Sequence, residues 1–176
     1  REAEEAKEEV EELNRRNKKE LDDARRRVDE LDKRNKDRRD HMVLHEYVNA
    51  AGITRVKEEG RSDDRLREKI ERMLKTSADE LERLKEENKR ALRDLAERLR
   101  ELIERNRRKL EEITRRTVPD KDVLKRLAEL IKESIRELER VLEELAEKID
   151  RSLKELDDVL RKNETDLKRV IEDLKR

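Results

Sequence analysis

"ESIRELERVL" at residues 133–142 is followed one repeat later by "RSLKELDDVL" at 151–160, an offset of 18 residues. Aligned, the two strings set Ile135 over Leu153, Leu138 over Leu156, Leu142 over Leu160 and Ser134 over Ser152. Eighteen residues make five whole turns of a straight α-helix, so both copies present the same face. "ELNRRNK" at 12–18 returns as "ELDKRNK" at 30–36, and Asn88 and Asn106 stand the same distance apart. The passage reads as one layer of a helical bundle, repeated along straight helices.

Composition agrees. Of 176 residues 57% are charged, with 50 basic and 50 acidic side chains that alternate in sign every few positions. So much charge with so little apolar content would suit disorder, but the apolar residues are regularly spaced. Alternating signs instead give i,i+4 pairs on solvated helix faces. A balanced charge with no basic patch argues against nucleic acid as a partner. The absence of cysteine excludes disulfide and thiol chemistry. No apolar run approaches the ~18 residues a bilayer span requires, so no membrane partner is expected. The chain is expected to be soluble.

Breaks are few. "EEGRSDD" offers Gly60 as a helix stop and Ser62 or Asp63 as an N-cap; "TVPDKD" offers Pro119 as a stop and Asp120 as a cap. The expected fold is all-α, an antiparallel up-down-up bundle of three long straight helices near 2–59, 63–117 and 120–175. They form a single domain over 1–176, each helix roughly 80–85 Å long at the α-helical rise. Short connections make sequential helices antiparallel neighbours.

Folding the helices back at those breaks sets Asn17 level with Asn106 and Ser134, and Asn35 level with Asn88 and Ser152. Polar residues recurring at matching heights in three seams predict buried hydrogen-bond networks that fix register and pairing. Straight helices, minimal loops and repeated polar layers resemble de novo designed helical bundles. The resemblance is one of style over nearly the whole chain.

Residues 39–54, RDHMVLHEYVNAAGIT, are written differently. They hold the only tyrosine and both histidines, and they alternate with period two: His41, Val43, His45, Tyr47, Asn49, Ala51 and Ile53 against Met42, Leu44, Glu46, Val48 and Ala50, with Gly52 near the end. The string resembles, through all sixteen residues, the eleventh β-strand of green fluorescent protein in the version engineered for split-protein complementation. That resemblance implies a partner, the ten-strand fragment, toward whose interior Met42, Leu44, Glu46 and Val48 would face, Glu46 beside the chromophore. The other strands are absent, so the chain is not expected to fluoresce alone.

A detection tag usually sits at a terminus behind a flexible linker; this string lies mid-chain without one, and embedding within the first helix is the expectation. Continuing that helix's seam (Val10, Leu13, Asn17, Leu21, Ala24, Val28, Leu31, Asn35) turns Arg39, Met42, Glu46, Asn49 and Ile53 inward. Ser77, Thr76 and Met73 on the second helix and Asn163 and Thr165 on the third then lie level with them. A third polar layer of Glu46, Ser77 and Asn163 follows, since a buried carboxylate needs donors. The fit is poor: Leu44, Tyr47, Val48 and Ala51 point outward in this phase.

Other chemistry is sparse. His41 and His45 stand at i,i+4, half of a metal grip with no third ligand. Ser77-x-x-Glu80 resembles a capping box that could break the second helix, though a mid-helix polar position fits better. No nucleophile–base pair, phosphate loop or cofactor motif is present, so neither an enzyme nor a cofactor is expected. The expected role is a cage holding the reporter strand as latent helix. The alternatives are a structural scaffold whose strand is only a tag, or a split four-helix system awaiting a partner helix or self-associating. The last rests on the doubled apolar positions of the third helix (Leu127/Ala128, Leu130/Ile131, Val141/Leu142, Leu145/Ala146, Val159/Leu160), a wide apolar face.

Overall fold

The computed structural model describes residues 2–41, 64–116 and 120–175. These form three helices, α1 (Glu2–His41), α2 (Asp64–Arg115) and α3 (Lys121–Lys175), packed as an all-α three-helix bundle. Residues 42–59, expected to continue α1, lie outside the described residues, as do Gly60, Ser62, Asp63 and Pro119. Asp120 caps α3, its Oδ1 accepting from the backbone N–H groups of Asp122 and Val123 at 3.2 and 3.4 Å, which satisfies donors the helix leaves unpaired. Acidic Glu2, Glu4 and Glu5 in the first turn of α1 and basic Arg115 in the last turn of α2 complement the helix dipoles. α2 closes with a tightened turn, Arg116 N–H donating to the Ile113 carbonyl at 3.2 Å.

The chain divides into two compact units, each built from segments of all three helices: Arg1–Glu30 with Arg90–Lys148, and Leu31–Lys89 with Ile149–Arg176. In the first unit Ala6, Val10, Ile113, Leu127 and Ile131 form a buried cluster, with Leu110, Val123, Leu124 and Ile135 packed against it. Asn14 meets Ser134 and Asp29 meets Lys148, so α1 and α3 run parallel there. Arg107 pairs with Glu139 while the later Ile113 clusters with the earlier Leu127 and Ile131, so α2 opposes α3.

In the second unit Leu81, Leu84, Leu156 and Leu160 form the cluster, flanked by Ala78, Leu153 and Val159. Asn35 with Ser152 and Arg39 with Glu155 again set α1 and α3 parallel. Arg34 pairs with Glu87 and the later Arg38 with the earlier Glu80, so α2 opposes α1 and the expected up-down-up direction is present in each unit.

The seams fall on the predicted side chains. On α1, Val10, Asn17, Leu21, Ala24, Val28 and Asn35 are buried, with Leu13 and Leu31 half-buried. α2 and α3 bury much larger residues, among them Ile70, Leu99, Ile113, Ile131, Leu138, Ile149, Leu156 and Leu167, each below 2% exposure. Fully burying such a side chain contributes roughly 1.5–3 kcal/mol, and small residues on α1 contribute less. α1 is thus the most lightly held helix by side-chain size.

Candidate functional site

The polar layers are built from asparagines whose spacing on a straight helix returns them to one face. In the first unit Asn17 and Asn106 form a reciprocal amide pair: Asn17 Nδ2 donates to Asn106 Oδ1 at 2.8 Å, and Asn106 Nδ2 returns a bond to Asn17 Oδ1 at 2.9 Å. The second N–H of Asn106 reaches the Leu102 carbonyl one turn earlier, at 2.7 Å. Both asparagines are buried, at 4% and 0% exposure.

Ser134 corrects the expected three-membered layer. It is half-buried, and its hydroxyl bonds Asn14 Oδ1 at 2.9 Å instead of joining Asn17 and Asn106. The reciprocal pair and the Leu102 carbonyl already occupy the Asn106 amide. Asn14, one helical turn before Asn17, offers the acceptor on the side of α1 that faces α3. Asn14 stood in the quoted "ELNRRNK", and its change to Asp32 in the second copy was the signal that the two layers differ.

In the second unit Asn35, Asn88 and Ser152 do form one network. Asn35 Nδ2 donates to Asn88 Oδ1 and to Ser152 Oγ, each at 2.9 Å, and Asn88 Nδ2 donates to Asn35 Oδ1 at 3.2 Å. The remaining Asn88 N–H reaches the Leu84 carbonyl at 2.7 Å. No buried side-chain nitrogen or oxygen is left without a partner among the described residues. An orphaned group would cost about 1–3 kcal/mol, so complete satisfaction is what makes such layers tolerable.

Ser77 and Asn163 are also buried in this unit, at 6% and 1% exposure. α2 runs unbroken through Ser77, and Glu80 pairs with Arg38 across to α1, so the capping-box reading does not describe this stretch. Thr165 is exposed and bonds back to the Arg161 carbonyl at 3.0 Å. Arg39, expected inward, lies at the rim and pairs with Glu155 at 2.6 Å. A guanidinium gains more from a partly solvated carboxylate than from an apolar seam.

Of the strand-like string, Arg39, Asp40 and His41 are the last residues of α1. Met42, Val43, Leu44, His45, Glu46, Tyr47, Val48, Asn49, Ala50, Ala51, Gly52 and Ile53 lie outside the described residues, and with them the expected embedding as helix and the proposed contact of Glu46 with Ser77 and Asn163.

At the far end of α1 a charged cluster closes the first unit. Glu9 Oε2 accepts from Lys109 and from Arg116, both at 2.7 Å, and Arg116 also bonds Glu112 at 2.7 Å. The Lys109 bond is the largest cause holding the Glu9 carboxyl below its ordinary range; burial pushes the other way, and the Arg116 bond and both positive charges add to the lowering. Arg116 is raised, first by its bond to Glu112.

The described residues contain no group of three His, Cys, Asp or Glu placed to hold a metal ion, and no helix among them is long and apolar enough to cross a membrane. Three surface grooves among the described residues are lined almost entirely by charged side chains. What the arrangement can do is specify which helix pairs with which, and at what height. No family model, curated protein or solved structure matches the chain.

Proposed function

We propose that the chain is a designed helical cage that keeps residues 41–53 from pairing until they are released to the ten-strand fragment of green fluorescent protein. The observation that carries this reading is that α1 enters the strand-like string as helix: Arg39, Asp40 and His41, the first three of its sixteen residues, are helical and are the last described residues of α1. Complementation needs an extended backbone with free N–H groups, and an α-helix uses both differently. The buried Ser77 and Asn163 supply polar groups in the unit to which the string belongs by sequence.

Latency is a population effect. If the closed state is favoured by about 3 kcal/mol, apparent affinity for the fragment falls roughly 150-fold. The designed character rests on the repeats and the fully paired polar layers. The same features support a role without catalysis or cofactor.

The four-helix alternative has less support. Its doubled apolar positions are mostly covered in the three-helix packing: Leu127, Ala128, Ile131, Val141, Leu145 and Leu160 are buried. Leu130, at 44% exposure, is the one large apolar side chain left exposed among the described residues.

Mixing with the ten-strand fragment tests the proposal. Native chain should develop fluorescence much more slowly than chain denatured and diluted into the same mixture. Equal rates would leave the string as an accessible tag.

A further inference from the structure

We propose that Arg34, Arg38 and Arg39 form an ionic latch that holds residues 32–41 of α1 to α2 and α3 in the second unit, so that ionic strength sets how readily this part of the helix opens. Residues 32–41, DKRNKDRRDH, hold no aliphatic side chain, and Leu31 just before them is half-buried. In the first unit the same helix buries Ala6, Val10, Leu21, Ala24 and Val28. A segment this polar gains almost nothing from apolar burial, and a helix of its length is marginal in water by itself.

Two kinds of contact hold it instead. One is Asn35, whose amide joins Asn88 and Ser152. Such a node fixes height and rotation but nets little stability, because water offers the same groups other partners. The other is the set of arginines. Arg34 pairs with Glu87 at 3.3 Å and Arg38 with Glu80, both on α2, while Arg39 pairs with Glu155 on α3 at 2.6 Å. Together they reach both neighbours of α1.

α2 and α3 hold each other without this part of α1. The apolar cluster of the unit, Leu81, Leu84, Leu156 and Leu160 with Ala78, Leu153 and Val159 against it, is drawn from α2 and α3. Lys85 adds a bond to Asp157 at 3.4 Å between the same two helices. The first unit differs, since its cluster includes Ala6 and Val10 of α1. Withdrawing α1 there dismantles a core, whereas opening residues 32–41 breaks one polar node and three ion pairs. An opening that exposes so little apolar surface belongs to the low end of the local stabilities in a structure.

In each pair at least one side chain is close to half exposed or more. Exposed pairs contribute little singly and are weakened by salt. They matter here because no apolar burial backs them. The screening length shrinks from roughly 30 Å at 0.01 M salt to about 3 Å at 1 M, which gives salt its hold over the latch.

Hydrogen exchange measured amide by amide tests this, with each rate compared with its intrinsic value. In the parent chain residues 33–41 should exchange through an opening that depends weakly on denaturant, and residues 10–28 through a larger unfolding. Raising NaCl from about 0.02 M to 1 M should lower protection at 33–41 roughly tenfold. Glu80→Gln with Glu87→Gln and Glu155→Gln, none of them on α1, should lower it as much at low salt, and added salt should then change little. Glu87→Arg alone should also lower it, and Arg34→Glu in the same chain should restore it, a rescue that lost packing would not give. Protection at 33–41 that ignores salt, that survives the three glutamines, or that shares the denaturant dependence of 10–28 overturns the latch. Its bearing on the strand-like string rests on the proposed function: the glutamine variant should also speed complementation. Faster exchange without faster complementation would support the latch and refute the cage.

Discussion

Asn35 and Asn88, 53 residues apart in sequence, hydrogen-bond each other in both directions at 2.9 and 3.2 Å. A reciprocal amide pair fits only when two antiparallel helices meet at one height, since a slip of a single residue turns either side chain about 100° away. Asn17 and Asn106 repeat the relationship in the other unit, and on α2 each asparagine also ties to a carbonyl one turn back. The layers therefore act on register more than on strength, because a buried hydrogen bond nets only about 0.5–1.5 kcal/mol.

This division of labour is separable by mutation. Asn88→Leu should cost about 1–3 kcal/mol by stranding part of Asn35, offset in part by added apolar burial. Asn35→Leu with Asn88→Leu and Ser152→Ala should recover that loss or exceed it, because no member of the network is left stranded. Both should lose uniformity. Light scattering after size exclusion should show mixed species, and a single monodisperse species for each variant would show that the layer does not set specificity.

The apolar layers should respond in the opposite way. Leu156→Ala, at a side chain 1% exposed within the second unit's cluster, should cost about 2–5 kcal/mol without changing oligomeric state. Thermal unfolding followed by circular dichroism measures it, and a Tm within 2 °C of the parent, a shift of about 1 kcal/mol or less by size scaling, would contradict the packing.

The asparagine pairs and the seams were legible in the sequence because a helix has a fixed angular step, which turns spacing into direction. The partner of Ser134 was not. Whether its hydroxyl meets Asn14 or Asn17 depends on a rotation of a fraction of a turn, which spacing does not resolve. Nor were the α1 ion pairs: with 57% of residues charged, every side chain has several opposite charges within reach. The strand-like string was legible as a resemblance, and its alternation conflicts with the helical phase that precedes it.

Acid should loosen the start of α1. The Lys109 bond holds the carboxyl of Glu9 below the ordinary carboxylate range in the folded chain, so its contribution is fully present above the ordinary value of the unfolded chain and is lost as pH falls through the lower folded value. The protection of the amides near Val10, their exchange rate divided into the intrinsic rate at each pH, should fall over that interval. In Glu9→Gln the loss of protection attributable to this group should disappear, and an unchanged profile would assign the effect to other carboxylates.

Ser77→Ala together with Asn163→Ala should speed complementation by removing polar groups buried in the second unit, while Asn17→Ala in the first unit should have a smaller effect. Fluorescence development against the parent chain measures both. Equal acceleration by the two changes would mean that global stability, rather than support near the string, controls release.

Release before pairing is the core of the proposed cage, and the dependence of association rate on fragment concentration tests it most directly. With a dye on the chain, anisotropy follows association as the ten-strand fragment is raised in excess. A string that must first open gives a rate that climbs and then levels at the opening rate, well below that of the free sixteen-residue peptide at the same concentrations. A rate that rises in proportion to fragment throughout and matches the free peptide would contradict the cage.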